Sequence, residues 1–374
     1  MIEREISKLL NARLSKKKAL IIVGARQVGK TTLVRHIASN FVGKNIIWNC
    51  DEPDVRSRLE NPTSTQLKQM IGNNKLLVID EAQRINNIGI TIKLIVDNIP
   101  DVQVIVTGSS SLELTKGIYE PLTGRKFEFK LYPFSFGELV AHTSLLEQRR
   151  LLEHRILYGF YPDVVNNPGD ERSRLNEIIT SYLFKDIFTF GNIRKPDIFD
   201  RLIKALALQI GNEVSYNELS KLVGINKETV YKYIDLLEKT FIVFVLNSFS
   251  RNQRNELKKS KKIYFWDTGI RNAIIDNFNS RELRNDWGFL WENFIISERM
   301  KYVSNTGKYR NYYFWRTAQK QEIDFIEEYD GELHPYEFKW NPKVSAKLPK
   351  SFSSAYGNYD FNVINSENFT EYIL

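Results

Sequence analysis

The feature that most constrains this chain is a glycine-rich loop between an apolar strand and a helix. Residues 24–31 read Gly-Ala-Arg-Gln-Val-Gly-Lys-Thr, which fits the pattern G-x-x-x-x-G-K-[ST]. The apolar run 19–23 precedes the loop, and Leu33 and Ile37 follow it at helical spacing. Glycines let successive backbone N–H groups turn toward phosphate, and a helix start adds partial positive charge. The loop therefore predicts a nucleotide-binding chain.

The side chains of this loop and of a later strand predict a phosphate and metal site. Lys30 is expected to reach the β- and γ-phosphates of ATP, and the Thr31 hydroxyl is expected to bind Mg²⁺. Asp80 and Glu81 end a second apolar strand, where Asp80 would hold magnesium and Glu81 would orient the attacking water. The predicted nucleotide-binding residues in the loop are Gly24, Ala25, Arg26, Gln27, Val28, Gly29, Lys30, Thr31 and Thr32.

Composition narrows the class of protein. The chain has 374 residues, enough for several domains, and no run of about 18 apolar residues that would predict a membrane span. Its first residues carry acids where a signal peptide carries bases, and its single cysteine, Cys50, predicts a reducing, cytoplasmic location. A net charge of +8 favours polyanionic partners such as DNA.

Strands and helices alternate along the first third of the chain, which predicts an α/β fold with a parallel sheet and helices on both faces. Later segments change character. We expect four domains: a P-loop ATPase core over 1–137, a helical subdomain over 138–199, a winged helix over 200–270 and an α/β nuclease-like domain over 281–374.

The motifs together resemble one family. The loop, the tetrad Asp80-Glu81-Ala82-Gln83 and Thr107-Gly108-Ser109-Ser110 look like the AAA+ branch of P-loop ATPases. More narrowly, they resemble uncharacterised bacterial and archaeal ATP-binding proteins with a separate C-terminal domain. The resemblance implies that Thr107 or Ser109 senses the γ-phosphate and that Arg125 is either a trans-acting arginine finger or part of a structural salt bridge. Further copies of the same chain, in a homo-oligomer, are candidate partners.

The segment 200–265 predicts a winged helix. A capping box at Ser215 opens one helix, a tight turn follows at Gly224, and a second helix and two strands come next. Basic residues could grip nucleic-acid phosphates, although many winged helices only join domains. The candidate nucleic-acid residues are Lys227, Lys232, Arg251, Arg254, Lys258, Lys259, Lys261 and Lys262.

A hairpin near the C-terminus allows a geometric prediction. If Asp330-Gly331 is a two-residue turn, Asp324 lies opposite Glu337 on one face of the hairpin. Opposed carboxylates would be neutralised by a magnesium ion, and Lys339 lies two residues further on. Ile323, Phe325, Tyr336 and Phe338 are expected on the other face.

With Glu292 on a preceding helix, this pattern resembles the restriction-endonuclease-like fold, although Ile323 stands where a proline is usual. The resemblance implies metal-dependent phosphodiester cleavage by Glu292, Asp324, Glu337 and Lys339. The expected function is ATP binding and hydrolysis with Mg²⁺, acting on or near DNA and without a membrane. Two alternatives stay open: a nucleotide-gated protein-interaction switch with an inactive nuclease-like domain, and an ATP-gated metal-dependent nuclease.

Overall fold

The computed structural model describes residues 1–14, 16–108, 122–183, 196–250 and 260–374. The chain forms two compact units. The first comprises residues 1–133 with 239–241, and the second comprises residues 134–238 with 242–374. In the part of the chain that the structure describes, no helix is both long and apolar enough to cross a membrane.

The first unit contains a parallel five-stranded sheet in the order β2-β3-β4-β1-β5. Every residue of β1, β3 and β4 is buried, as expected for central strands of a parallel sheet covered on both faces. The predicted α/β fold is confirmed. The strands are β1 Ala19–Val23, β2 Asn45–Asn49, β3 Leu76–Asp80, β4 Gln103–Gly108 and β5 Lys126–Lys130.

Helices connect and cover these strands. The first helix begins at Ser7, after a turn at residues 5 and 6. Ile2, Ile6 and Leu10 are buried. The helices of the first unit are Ser7–Arg13, Lys30–Asn40, Pro53–Leu59, Ser64–Ile71 and Ile88–Asn98, with a 3₁₀ turn at Ala82–Arg84.

The second unit contains a mixed seven-stranded sheet in the order β12-β11-β10-β9-β7-β8-β6. Antiparallel hairpins form β7–β8 and β10–β11, while β7 pairs in parallel with β9 and β11 with β12. The strands are β6 Glu213–Val214, β7 Val243–Ser248, β8 Lys261–Phe265, β9 Asn311–Arg316, β10 Glu322–Tyr329, β11 Glu332–Phe338 and β12 Asn362–Ile364.

The helices of the second unit include the pair predicted around residue 224. Ser215 caps Tyr216–Val223, Gly224 ends it with a positive φ of 73°, and Lys227–Lys239 follows. The other helices are Phe136–His142, Leu145–Arg150, Leu152–Tyr158, Pro162–Val165, Glu171–Glu177, the π-helical Ile178–Leu183, Pro196–Leu208, Thr268–Ile274, the 3₁₀ turn Arg281–Leu283, Trp287–Asn305, Lys350–Tyr356 and Phe369–Ile373.

The helix pair is followed by β7 and β8, but these strands continue the sheet of the C-terminal hairpin through the β7–β9 pairing. Residues assigned to separate winged-helix and C-terminal domains thus share one sheet. The division into four domains and the winged-helix identity stay predictions.

The register of the C-terminal hairpin is confirmed. Tyr329 pairs with Glu332 and Phe325 with Tyr336, as a two-residue turn at 330–331 requires. One detail is wrong: Ile323 does not share a face with Phe325. A bulge between residues 323 and 326 places Ile323 in the same apolar cluster as Ile326, since a bulge shifts the alternation of side chains along a strand.

Candidate functional site

The backbone of the loop at 24–31 depends on its two glycines. A Cβ at Gly24 would collide with the carbonyl oxygen of Leu131. Gly29 has a φ of 94°, a left-handed conformation that favours glycine, and directly precedes the helix Lys30–Asn40. Close packing therefore requires the first glycine of the motif, and backbone geometry favours the second. The free N–H groups of the first helical turn remain available to an anion.

Lys30 is held inside the loop. Its side chain is 4% exposed, and its Nζ donates to the carbonyl oxygens of Gly24 at 3.0 Å and Ala25 at 2.7 Å. Thr31 is half-buried in the first turn of the helix, and Thr32 is exposed. The lysine predicted to bind phosphate thus donates hydrogen bonds to the first two residues of its own loop.

The acidic pair lies at the carboxyl end of β3, next to β4. The Asp80 carboxylate is buried and accepts a hydrogen bond from the Thr107 hydroxyl. The Thr107 oxygen in turn accepts from the backbone N–H of Glu81 at 3.1 Å. The strands are parallel, and β4 pairs with both β3 and β1, so Asp80 and Glu81 lie at the same end of the sheet as the loop that follows β1. This end of the sheet therefore brings phosphate-binding groups together with a buried carboxylate.

Thr107 therefore contacts both residues of the acidic pair through a hydroxyl that is itself fully buried. Its predicted sensing role stays a prediction, and the structure adds a positioning contact that the sequence did not indicate. Ser109, the other predicted sensor, lies outside the described residues.

Glu81 adopts a left-handed backbone conformation, with a φ of 55°. Its Oε2 accepts a hydrogen bond from Gln83 Nε2 at 2.5 Å. Gln83 belongs to the tetrad that carries the family resemblance, but its residue type alone predicted no role. The side chain predicted to orient water is therefore oriented by a neighbour two residues away.

Arg4 is a residue of this site that sequence reasoning missed. Its guanidinium is buried and donates to the carbonyl oxygens of Val28 at 2.7 Å and Tyr132 at 2.6 Å. Val28 lies inside the phosphate-binding loop. Nothing in the single sequence separates Arg4 from the other basic residues near the N-terminus, so its role becomes visible only in the fold.

Arg125 lies away from the loop of its own chain. Arg125 directly precedes β5, and its carbonyl oxygen accepts from the N–H of Ala19 at the start of β1. It therefore lies at the amino end of these strands, and the loop follows their carboxyl end. Its side chain forms an ion pair with Asp97 at 2.6 Å and is 40% exposed. The structural salt bridge expected as one interpretation is present. Action on a nucleotide held by another copy stays a prediction.

The second unit brings together the four residues predicted for a nuclease site. Lys339 Nζ lies 2.6 Å from Glu337 Oε1 and 4.0 Å from Asp324 Oδ2. Glu292, on the helix Trp287–Asn305, is buried. Burial raises the pKa of the Glu292 carboxyl to about 7, an effect opposed by the Lys262 ammonium, and burial also raises the pKa of Asp324 and Glu337.

Lys262 belongs to this cluster, and its predicted position on the surface is wrong. The side chain is 1% exposed, with Nζ 3.1 Å from Glu292 Oε1 and 2.5 Å from Glu322 Oε1. Tyr264 OH also donates to Glu292 Oε1, at 2.5 Å. Side chains alternate between the faces of a strand, so Lys262 and Tyr264 of β8 both point to the carboxylates.

The other candidate nucleic-acid residues divide into two groups. Lys227 and Lys232 are exposed on their helix, and Lys261 is partly exposed with Nζ 5.5 Å from the centre of the Tyr216 ring. A groove of about 770 Å³ lies beside Lys227, Lys261, Tyr216 and Tyr231. Arg251, Arg254, Lys258 and Lys259 lie outside the described residues.

The chain is similar to known families in three consecutive segments. Residues 16–140 match a family model described as "AAA domain". Residues 149–281 match "Domain of unknown function (DUF8612)", and residues 287–370 match "Domain of unknown function (DUF4143)". The AAA match contains the glycine-rich loop and the acidic pair, and it supports a P-loop ATPase domain.

Two relatives are similar over most of the chain. The uncharacterized protein Rv2008c of Mycobacterium tuberculosis is 26% identical over 360 residues, covering 94% of this chain and 76% of the relative. The uncharacterized protein MJ1544 of Methanocaldococcus jannaschii is 24% identical over 354 residues, covering 86% and 74%.

Among solved structures, the chain is similar to the Walker-type ATPase PABY2304 of Pyrococcus abyssi. The two share 17% sequence identity with a TM-score of 0.50, covering 73% of this chain and 96% of that one. This similarity concerns the fold alone. The AAA match and the loop geometry support ATP binding and hydrolysis by a P-loop ATPase domain.

Proposed function

We propose that this chain is a cytoplasmic AAA+-type ATPase that hydrolyses ATP at the loop 24–31 and acts on or near DNA. One observation carries the proposal: Lys30, Asp80 and Glu81 all follow or end strands at the carboxyl end of the parallel sheet, beside the N-terminus of the helix Lys30–Asn40. Lys30 would contact the phosphates, and Glu81 would orient the attacking water.

The donor set at this edge suits magnesium. Asp80 and the Thr31 hydroxyl are oxygen ligands of the kind that Mg²⁺ takes, and Asp80 is fixed by Thr107. When bound with ATP, the ion would neutralise charge on the phosphates. The residues of the chain would supply the rest: Lys30 holds phosphate, Thr107 orients Asp80, and Gln83 orients Glu81.

The Glu81→Gln variant tests the hydrolytic role. It removes the carboxylate but keeps the size of the side chain, so ATP should bind with unchanged affinity while turnover falls at least ~100-fold. Nucleotide binding by calorimetry and phosphate release measure the two effects. Glu60→Gln, an exposed glutamate of the same unit, is the matched control and should turn over normally. Normal turnover by Glu81→Gln would overturn the assignment.

A second observation favours nucleic acid as the target. The groove beside the helix pair presents two tyrosine rings, and Tyr231 is 57% exposed. Exposed rings can stack on bases, and the ammonium groups of Lys227 and Lys261 can meet phosphates. Two acidic residues line the groove: Glu213 is paired with Arg316 at 3.4 Å and with the Ser260 hydroxyl, and Glu218 is exposed.

Replacing the three described lysines of this surface with serine tests the nucleic-acid proposal. The triple variant Lys227→Ser, Lys232→Ser, Lys261→Ser should bind DNA at least ~10-fold more weakly, with a flatter dependence on salt, because fewer counterions are released. Fluorescence anisotropy at salt concentrations from about 50 to 200 mM measures both the affinity and its dependence on salt.

The matched control for this experiment removes the same charge elsewhere in the second unit. Lys343, Lys347 and Lys350 are exposed, and their substitution by serine should leave the affinity for DNA nearly unchanged. An equal loss of DNA affinity in both triple variants would mean that only the net charge of the chain matters, and it would contradict a binding surface at the helix pair. If neither the parent chain nor the control binds DNA, the protein-interaction switch becomes the better account.

A further inference from the structure

A buried lysine lies among the carboxylates that the nuclease interpretation assigns to a metal. Lys262 comes from β8, Glu292 from the helix Trp287–Asn305 and Glu322 from β10, so three separate elements meet at one ammonium group. The two ion pairs measure 3.1 and 2.5 Å from Nζ. This ammonium is 1% exposed, so solvent scarcely screens its charge.

Other carboxylates of the cluster also contact protein donors. Asp324 Oδ2 accepts from the backbone N–H of Phe338 at 2.9 Å, Glu337 pairs with Lys339, and Glu292 accepts from Tyr264. Mg²⁺ requires near-octahedral oxygen ligands at about 2.0–2.1 Å. Across the residues that the structure describes, no group of three or more His, Cys, Asp or Glu side chains is arranged to hold a metal ion.

The resident ammonium therefore disfavours the divalent metal that the nuclease resemblance implies. A divalent ion among these acids would lie within a few ångströms of a buried ammonium, and like charges repel strongly where solvent is excluded. Conversely, four acids without cations would carry a large desolvation cost. Lys339 neutralises the Glu337 side of the cluster, and Lys262 supplies the buried positive charge beside Glu292 and Glu322.

We propose that Lys262 is the resident cation of the carboxylate cluster, so that the second unit holds no catalytic divalent metal. The ammonium takes the place of the ion and joins β8 to the helix and the hairpin. This proposal does not depend on ATP hydrolysis by the first unit. It favours the alternative in which the nuclease-like domain is inactive and serves binding.

Metal binding to the nucleotide-free full chain tests the proposal. The parent chain of this experiment and all its variants carry Asp80→Asn, which removes the candidate metal ligand of the first unit, and Mn²⁺ binding is titrated by electron paramagnetic resonance. Lys262→Met keeps an unbranched apolar stem but removes the charge, so this variant should bind one Mn²⁺ at least ~10-fold more tightly than the parent. Adding Asp324→Asn should remove that gain. Lys261→Met, the neighbouring lysine, should resemble the parent.

Two results would contradict the proposal. The first is a parent chain that already binds one Mn²⁺ in the cluster and loses it on Asp324→Asn. That comparison needs no change at Lys262, so it decides the matter even where Lys262→Met fails to fold. The second is a folded Lys262→Met, verified by circular dichroism, that gains no Mn²⁺.

Discussion

At the scale of single residues, both candidate sites contain charged side chains that are buried and bonded to protein partners. Arg4 is the clearest case in the first unit, because one planar guanidinium joins two backbone segments, at Val28 and Tyr132. A planar fork suits two acceptors at once, and hydrogen bonds from charged donors are the stronger ones. We infer that Arg4 positions the phosphate-binding loop.

Arg4→Ala should loosen that loop. Two carbonyl oxygens would lose a charged donor, so we expect the free energy of unfolding to fall by about 2–3 kcal/mol and the Kd for ATP to rise at least ~10-fold. Urea unfolding and calorimetry measure these quantities. Lys8→Ala, which removes an exposed cation four residues further along the chain, should change neither. If Arg4→Ala binds ATP as tightly as the parent, the positioning role is wrong.

Two neighbouring lysines show what a pattern of residue types cannot resolve. Lys261 and Lys262 were predicted as parts of one basic surface, yet Lys261 is partly exposed and Lys262 is buried. Successive side chains of a strand point to opposite faces, so the start of β8 decides which lysine meets the carboxylates. The partners of Lys262 lie 30 and 60 residues away in sequence, beyond the reach of local patterns.

At the scale of elements, local sequence patterns correctly predicted the features that local interactions determine. The loop 24–31, the strand ending at Asp80 and the turn at 330–331 were each correct, because glycine geometry, apolar runs and turn residues act locally. The bulge beside Ile323 was missed, since it depends on the pairing of β10 with β9.

Pairing between distant elements was also beyond the sequence. The strands predicted as a self-contained wing, β7 and β8, extend the sheet of the C-terminal hairpin through β9. Nothing in the composition of β7 or β9 specifies this parallel neighbour, because many apolar strands are equivalent partners until the chain is folded. The role of Thr107 as a holder of Asp80 was hidden for the same reason.

At the scale of the whole molecule, the chain combines an ATPase-like unit with a second unit whose carboxylate cluster is closed by a lysine and whose groove presents lysines and tyrosines. This combination suits a device in which ATP turnover accompanies binding of nucleic acid. A metal-dependent nuclease would need a cluster that admits a divalent ion.

The most direct test of this account is the rate of ATP hydrolysis by the purified chain with Mg²⁺, measured with and without single- and double-stranded DNA. We predict measurable turnover that DNA raises at least ~3-fold and that Lys30→Ala, which loses the phosphate-contacting ammonium, abolishes in both conditions. The triple lysine-to-serine variant at Lys227, Lys232 and Lys261 should keep basal turnover and lose the stimulation. Absence of turnover by the parent chain in every condition, or turnover that survives Lys30→Ala, would contradict the central claim.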